Sequence, residues 1–415
     1  MLGKYLWKLR QVLKEIWVRV LAYGAVAVLA AMVSPRLAPY VPQNLRFEPG
    51  DGAVEQVLQI IASSMLAVTT FSLSIAVQAY SAAATSATPR ATALLQQDTT
   101  TQNVLSTFLG AFLFSLMGII GLEAGLYGDD GKFVLFVSTI LVVGAIILAL
   151  LRWITHLINF GRMSDTLARV EQATTDALLA RLDDPFLGAT PRRGAIPPEA
   201  RALYPEQVGY VQHIDIAGLQ KLADSLELQI WVAETPGSFV HPDMPLMYVS
   251  GPRLEDDQEA DLRHGLTIGA ERSFDQDPRF GLVVLSEIAS RALSPAVNDP
   301  GTAIDVISRQ ARVLSLWSPK DPEVPPSPRI HMPPIAGEDL IDDAFHALAR
   351  DGAAFVEVQI RLHQALNALA ATNPEEFSQP AEALAALAMT RATGAGMCDE
   401  DLSRLHRHAR LARRE

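Results

Sequence analysis

Apolar positions dominate the first third of the chain and then give way to shorter helical and alternating patterns. Four stretches contain no Asp, Glu, Lys or Arg: Val20 to Pro35, Gln56 to Pro89, Thr99 to Leu122 and Phe133 to Leu151. A helix needs ~20 mostly apolar residues to cross a hydrocarbon core ~30 Å thick. The last three stretches suffice unaided. The first does so once Ile16 and Trp17 are counted and Arg19 reaches back to the headgroups. The pattern predicts an α-helical membrane protein with four transmembrane helices in residues 1–152.

The second stretch has an internal order of its own. From Gly52 to Thr88 it can run as one helix of ~55 Å at ~1.5 Å per residue, longer than the bilayer is thick, with Pro89 ending it. Gln56, Gln59, Ser63, Thr70, Ser74, Gln78 and Ser81 share an arc of about 100° on that helix, and Ala67 fills its one gap. Lipid tails offer no hydrogen bonds, so this arc must meet protein or water. Ser, Thr and Gln can hold neighbouring helices together for ~0.6 kcal/mol apiece. Alternatively, copies of the helix in a homo-oligomer can surround a path for a small ion or solute. The third stretch carries the small residues Ala111, Ser115 and Gly118, with Gly125 just beyond its end, and the fourth carries Ser138, Ala145 and Ala149, as packing helices do. Neither holds an ionisable residue, which argues against a proton-coupled pump or a voltage sensor.

Beyond Arg152 the periods shorten. Residues 153–207 predict an amphipathic membrane-exit helix over 153–183, with Ile154, Leu157, Ile158, Leu167, Val170, Ala177 and Leu178 at helical spacing, and then a linker punctuated by Pro and Gly. Residues 208–252 predict a small mixed segment. It has strands near 209–214 and 228–234, a helix at 217–227, a Pro236-Gly237 turn, and short strands at 238–240 and 246–249. Residues 253–415 predict a mainly helical domain interrupted by a proline-rich loop between Pro319 and Pro334. The fold class expected after the four spans is a cytosolic α+β domain, a small β-rich segment plus a helical bundle.

Charge refines this picture. Residues 1–152 hold 10 Lys and Arg against 8 Asp and Glu, while the whole chain has 34 against 46 and a net charge of −12, so the soluble part is strongly acidic. An acidic domain without a basic stripe is a poor partner for nucleic acid, and it disfavours flat adhesion to anionic lipid. Cys398 is the one cysteine, so no intramolecular disulfide forms and a reducing compartment suits the chain. Lys4, Lys8, Arg10, Lys14 and Arg19 precede the first span, and Arg152, Arg162 and Arg169 follow the fourth. The positive-inside bias then places the N-terminus and the C-terminal domain in the cytoplasm, with the Ala38–Gly52 loop and the Glu123–Lys132 turn outside. Residues 1–33 are expected to stay as part of the chain: their charged lead-in is long for a secretory signal and three further spans follow.

Candidate chemistry concentrates in one place. Asp277-Pro278 and Asp299-Pro300 each set a carboxylate at an N-cap and a proline at the first helical position. Arg272, Asp275, Arg291 and Asn298 stand near them in sequence. The group reads either as caps and salt bridges around a helical corner, or as a cytosolic ligand or cation site with Asp275, Asp277, Asn298 and Asp299 as oxygen donors. Signatures of enzymes are missing. Gly125 to Lys132 has the wrong spacing for a phosphate loop, and Phe133 stands where Ser or Thr is needed. No His-Glu-x-x-His pair, Gly-x-Ser-x-Gly elbow or dinucleotide glycine fingerprint occurs, and one cysteine cannot build a zinc cluster. The expectation is therefore no enzyme, no cofactor and no metal.

The run Glu271-Arg272-Ser273-Phe274-Asp275-Gln276-Asp277-Pro278-Arg279-Phe280-Gly281, with Arg291-Ala292-Leu293-Ser294-Pro295-Ala296-Val297-Asn298-Asp299-Pro300, resembles a bacterial family of predicted membrane proteins, domain of unknown function 2254. The resemblance extends over nearly the whole chain. It includes the Gly209-Tyr210-Val211 strand, the Pro236 to Leu246 run, and the long second span ending in Thr88-Pro89-Arg90. Ser273 and Asp275 stand where the family tends to have Thr and Glu. The resemblance implies four spans plus a cytosolic domain and brings no catalytic residues. Together these features lead us to expect a homo-oligomer in the bacterial inner membrane. The second helices would surround a narrow path and the acidic domain would sense or gate; the alternative is a non-conducting scaffold or sensor that docks a partner.

Overall fold

The apolar runs fold as helices whose ends follow the turn residues between them. The computed structural model describes residues 12–13, 16–37, 52–96, 98–158, 160–320 and 327–409. Lys4, Lys8, Arg10, Lys14 and most of the expected outer loop, 38–51, lie outside these. The first part comprises α1 (Ile16–Leu37), α2 (Ala53–Ser86), α3 (Pro89–Gln96), α4 (Thr99–Glu123) and α5 (Asp129–Leu157). Three of these helices are long and apolar enough to cross a membrane, over Ala53–Thr85, Thr99–Glu123 and Gly131–Leu157. The first helix carries a shorter apolar stretch, Trp17–Ala30. As the spacing predicts, α2 is one helix of 34 residues. Pro89 does more than end it: a break at Ala87 and Thr88 precedes the short α3, which Pro89 opens, where its missing N–H costs nothing.

α4 is the inner helix, packed against α1, α2 and α5. It buries Phe108, Ala111, Phe114, Ser115 and Gly118. Its small residues allow that proximity: a Cβ at Gly118 would stand 3.0 Å from Leu58 Cδ1, and one at Gly110 would stand 3.5 Å from the Tyr23 carbonyl oxygen. By contrast, α5 exposes Ile140, Leu141, Ile147, Leu148 and Leu151, an apolar surface that costs nothing among lipid tails.

The amphipathic helix expected over 153–183 is in fact two pieces. Residues 153–157 complete α5, and the chain turns at Gly161, whose φ of 77° favours glycine, before α6 (Met163–Asp183) begins. Periodicity runs through the break because both pieces are amphipathic, so the turn leaves no gap in the pattern.

A second compact unit begins at Leu167. After α6 come β1 (Ala189–Pro191), β2 (Arg201–Leu203), β3 (Gly209–Ile214), α7 (Ile216–Ser225), β4 (Gln229–Val232), β5 (Phe239–Val240), β6 (Met247–Ser250), α8 (Asp256–His264) and β7 (Leu266–Gly269). The helices α9 (Pro278–Ala292) and α10 (Pro300–Leu314) precede β8 (Ser327–Met332), and α11 (Gly337–Asp351), α12 (Val356–Thr372), α13 (Pro374–Gly394) and α14 (Asp399–Ala409) complete the chain order. One sheet has five strands in the order β1-β8-β4-β6-β2, with β8 parallel to both neighbours; the other has three, β5-β3-β7, all antiparallel. Their shared core includes Val211, Leu219, Ile230, Val249, Leu262 and Ile330.

Four strands depart from the sequence expectation. β1 and β2 lie in what reads as a linker, and β8 lies in what reads as a proline-rich loop. β8 pairs Ile330 with Ile230 and buries Ile330 and Met332 at 0% exposure. Its period-two pattern is real but short, and the exposed Pro328 within it and the prolines around it signal a loop. β7 likewise falls where helix is expected. The helical layer holds together through α6: Glu171 accepts from Arg309 Nη1 at 2.6 Å and from Arg312 Nη2 at 2.8 Å, binding α6 to α10.

Candidate functional site

All seven polar residues of the α2 arc, Gln56, Gln59, Ser63, Thr70, Ser74, Gln78 and Ser81, are exposed, as is Ala67. The opposite side of the same helix carries its buried residues, Val54, Leu58, Ile61, Met65, Ala76 and Ala83. At ~3.6 residues per turn the two sets are centred about 180° apart. The arc therefore faces away from the helices that α2 packs against, and the exposed apolar residues Ile60, Leu66, Phe71, Leu73 and Val77 flank it.

Within the arc, Ser63 Oγ donates to Gln59 O at 2.9 Å, Thr70 Oγ1 to Leu66 O at 2.9 Å and Ser74 Oγ to Thr70 O at 3.0 Å. Each hydroxyl proton is thus satisfied by the preceding turn, and the hydroxyl oxygen keeps its capacity to accept. Gln59 Nε2 donates to Glu55 Oε1 at 3.0 Å, which brings a carboxylate to one end of the arc. The result is an exposed row of hydroxyl and amide groups with a carboxylate at one end, a surface able to accept hydrogen bonds from water or from an adjoining helix.

The charge constellation is divided between the two ends of α9. At the start, Asp277 is 1% exposed, caps the helix by accepting from Phe280 N at 3.2 Å, and takes two hydrogen bonds from Arg272, Nε at 2.8 Å and Nη2 at 3.0 Å. The Arg272 guanidinium also lies over the Phe280 ring, 5.3 Å from its centroid. Asp275 accepts from Ser273 Oγ at 3.1 Å and faces the same loop. Beyond the other end, Arg291 is in the last turn, Asn298 adopts φ 52°, and the exposed Asp299 caps α10 through Thr302 N at 3.0 Å and Thr302 Oγ1 at 2.6 Å. A helix of 15 residues, about 22 Å at ~1.5 Å per residue, separates the two groups. They do not form one cage. No group of three or more His, Cys, Asp or Glu among the described residues is placed to hold a metal ion.

Burial sets the electrostatics of the first group. It pushes the Asp277 carboxyl up from its ordinary value, while the hydrogen bonds and charge of Arg272 pull it back only in part. The turn at Pro236-Gly237 closes over this pair: Gly237 has φ 96°, and a Cβ there would collide with the Asp277 carboxylate and stand 2.9 Å from Arg272 Nη2. Arg181 on α6 is 2% exposed, and its Nε and Nη1 have no hydrogen-bond partner. Burial lowers its pKa to about 10 against the pull of Asp184 and Asp277. Asp299, exposed and doubly bonded by Thr302, is held below the ordinary carboxylate value instead.

One ionisable pair escapes sequence reasoning. Asp98, 6% exposed, caps α4 by accepting from Thr101 N at 2.7 Å, and its Oδ2 lies 3.0 Å from His156 Nε2 near the end of α5. Thr101 Oγ1 is 3.2 Å from the same nitrogen, and the imidazole is flanked by Trp153 and Phe160 with ring centroids 5.8 and 4.7 Å away. The cap is legible as Asp followed by three threonines. The pairing is not, because the two residues stand 58 positions apart.

A family described as “predicted membrane protein (DUF2254)” matches residues 14–368. Uncharacterized proteins of Mycobacterium bovis and Mycobacterium tuberculosis are each 28% identical to this chain over 285 residues, 66% of this chain and 54% of the relative. The chain thus spans about half the length of the curated relatives it matches. No solved structure matches.

Proposed function

This chain belongs to the DUF2254 family of predicted membrane proteins, and from that premise we propose that it is a homo-oligomeric inner-membrane protein whose α2 helices surround a narrow path for ions or small solutes. In this reading α1 is a fourth span, both flanks of the membrane part are cytoplasmic, and the acidic unit from Leu167 regulates passage. The observation that carries the proposal is the direction of the α2 arc: seven polar residues are exposed opposite the helix's buried side. A single chain would turn those groups toward lipid, whereas a ring of copies turns them toward one another and water.

The test is reconstitution of the whole protein in liposomes. Flux of a small ion or solute that Thr70→Leu reduces supports the proposal. So does reaction of Thr70→Cys and Ser74→Cys, in a Cys398→Ser background, with a water-soluble thiol reagent. No flux, together with thiols inert from both sides, overturns it.

A second reading has its own observation. Because Ser63, Thr70 and Ser74 already donate to their own helix, the arc tolerates a dry contact between copies. The protein would then be a non-conducting scaffold or sensor whose cytosolic unit docks a partner, and flux would be absent while the oligomer persists.

A further inference from the structure

At the end of the bundle where α4 begins and α5 ends there is a groove of about 560 Å³ lined by Thr100, Leu151, Arg152, Thr155, His156 and Asp165. Its chemistry is mixed in an ordered way. Arg152 supplies a cation that is exposed and makes no ion pair among the described residues. Thr100 lies in the first turn of α4, where backbone N–H groups lack partners within the helix. The His156 ring is held by Asp98 at 3.0 Å, so that wall of the groove is fixed. Asp165 contributes the opposite charge. Leu151 forms the apolar side, continuing into the exposed Leu148 and Ile147 of α5.

A soluble anion would use Arg152 and have no use for an apolar wall or a nearby carboxylate. A molecule with a phosphate, a cationic group and an acyl chain would use all of them. The geometry points to a binding site for a bilayer phospholipid with an ammonium-bearing headgroup. The phosphodiester lies against Arg152 and Thr100, the ammonium toward Asp165, and an acyl chain along Leu151, Leu148 and Ile147. Arg is suited to phosphate because its planar fork of donors matches the oxygens. The site rests on the helices lying in a membrane and is independent of whether the assembly conducts.

The full-length protein in detergent, titrated with phosphatidylethanolamine, phosphatidylglycerol and inorganic phosphate and read by native mass spectrometry, tests this without any flux assay. Phosphatidylethanolamine should bind the wild type preferentially, and Arg152→Leu should weaken it about tenfold, the loss expected for a charge-assisted contact. Asp165→Asn should erase the preference over phosphatidylglycerol. Arg152 is exposed, so an unchanged thermal unfolding midpoint is expected alongside. Equal phosphatidylethanolamine binding by wild type and Arg152→Leu overturns the site, and so does efficient displacement by inorganic phosphate, which would mark a free-anion site instead.

Discussion

Arg272 grips Asp277 with two hydrogen bonds of 2.8 and 3.0 Å, and the carboxylate so held is 1% exposed. Asp299, which begins α10 by the same Asp-Pro device, is exposed and accepts from Thr302 and the Gly301 backbone, with no arginine among the described residues holding it. Asp299→Ala should therefore cost about 1 kcal/mol, the loss of a cap. Asp277→Ala should cost about 3–5 kcal/mol, because it leaves Arg272 inside with no carboxylate. Thermal or denaturant unfolding of both variants measures the difference, and equal costs would contradict it.

The Pro236-Gly237 turn makes a related prediction. A methyl at Gly237 meets the Asp277 carboxylate, and its φ of 96° disfavours any side chain. Gly237→Ala should destabilise the second unit by about 2 kcal/mol or more. Hydrogen exchange at β3, β5 and the start of α9 should speed up together.

Acid should weaken the second unit. Burial lowers the pKa of His363, whose Nδ1 and Nε2 lie 2.8 and 3.2 Å from the carbonyls of Gln359 and Ala385, and it lowers that of His331. With folded values below the ordinary 6.5, the unfolded chain binds more protons once the pH drops past that point. The neutral-ring stability is thus fully present above pH 6.5 and is lost as pH falls through the folded values. Unfolding midpoints measured from about pH 8 downward should decline below 6.5, and His363→Gln should flatten that decline.

In the membrane part, oligomer formation through α2 predicts proximity between copies. Ser74→Cys in a Cys398→Ser background should cross-link under mild oxidation into a species of twice the mass. Val142→Cys, on a partly buried position of α5, should not. The reverse pattern would place the contact between copies on another helix.

Sequence reasoning reached some of these features and missed others for identifiable reasons. Length and the absence of charge fix α2, α4 and α5, because a membrane helix advertises itself over ~20 residues. The α2 arc is legible as an arc, yet its direction depends on which side Val54, Leu58 and Met65 bury, and that is a property of packing. Asp277 and Asp299 are recognisable as caps, but nearness in sequence suggests one corner where α9 holds them apart. The gripping of Asp277 by Arg272 under Gly237 joins three segments, and no local pattern encodes it. Asp98 and His156 fail for the same reason, and β8 fails because its prolines speak louder than its alternation.

The placement of β8 has a consequence for synthesis. β4 ends at Val232, and its parallel neighbour begins at Ser327, after two helices of the other layer have been made. Until the ribosome has released residues up to Met332, β1 and β4 each carry a bare edge on the side that will receive the strand. The hydrophobic helices emerge far earlier and can be inserted by then. A nascent chain stalled between these points would be anchored but unfinished, with two open strand edges exposed to chaperones, proteases or neighbouring chains.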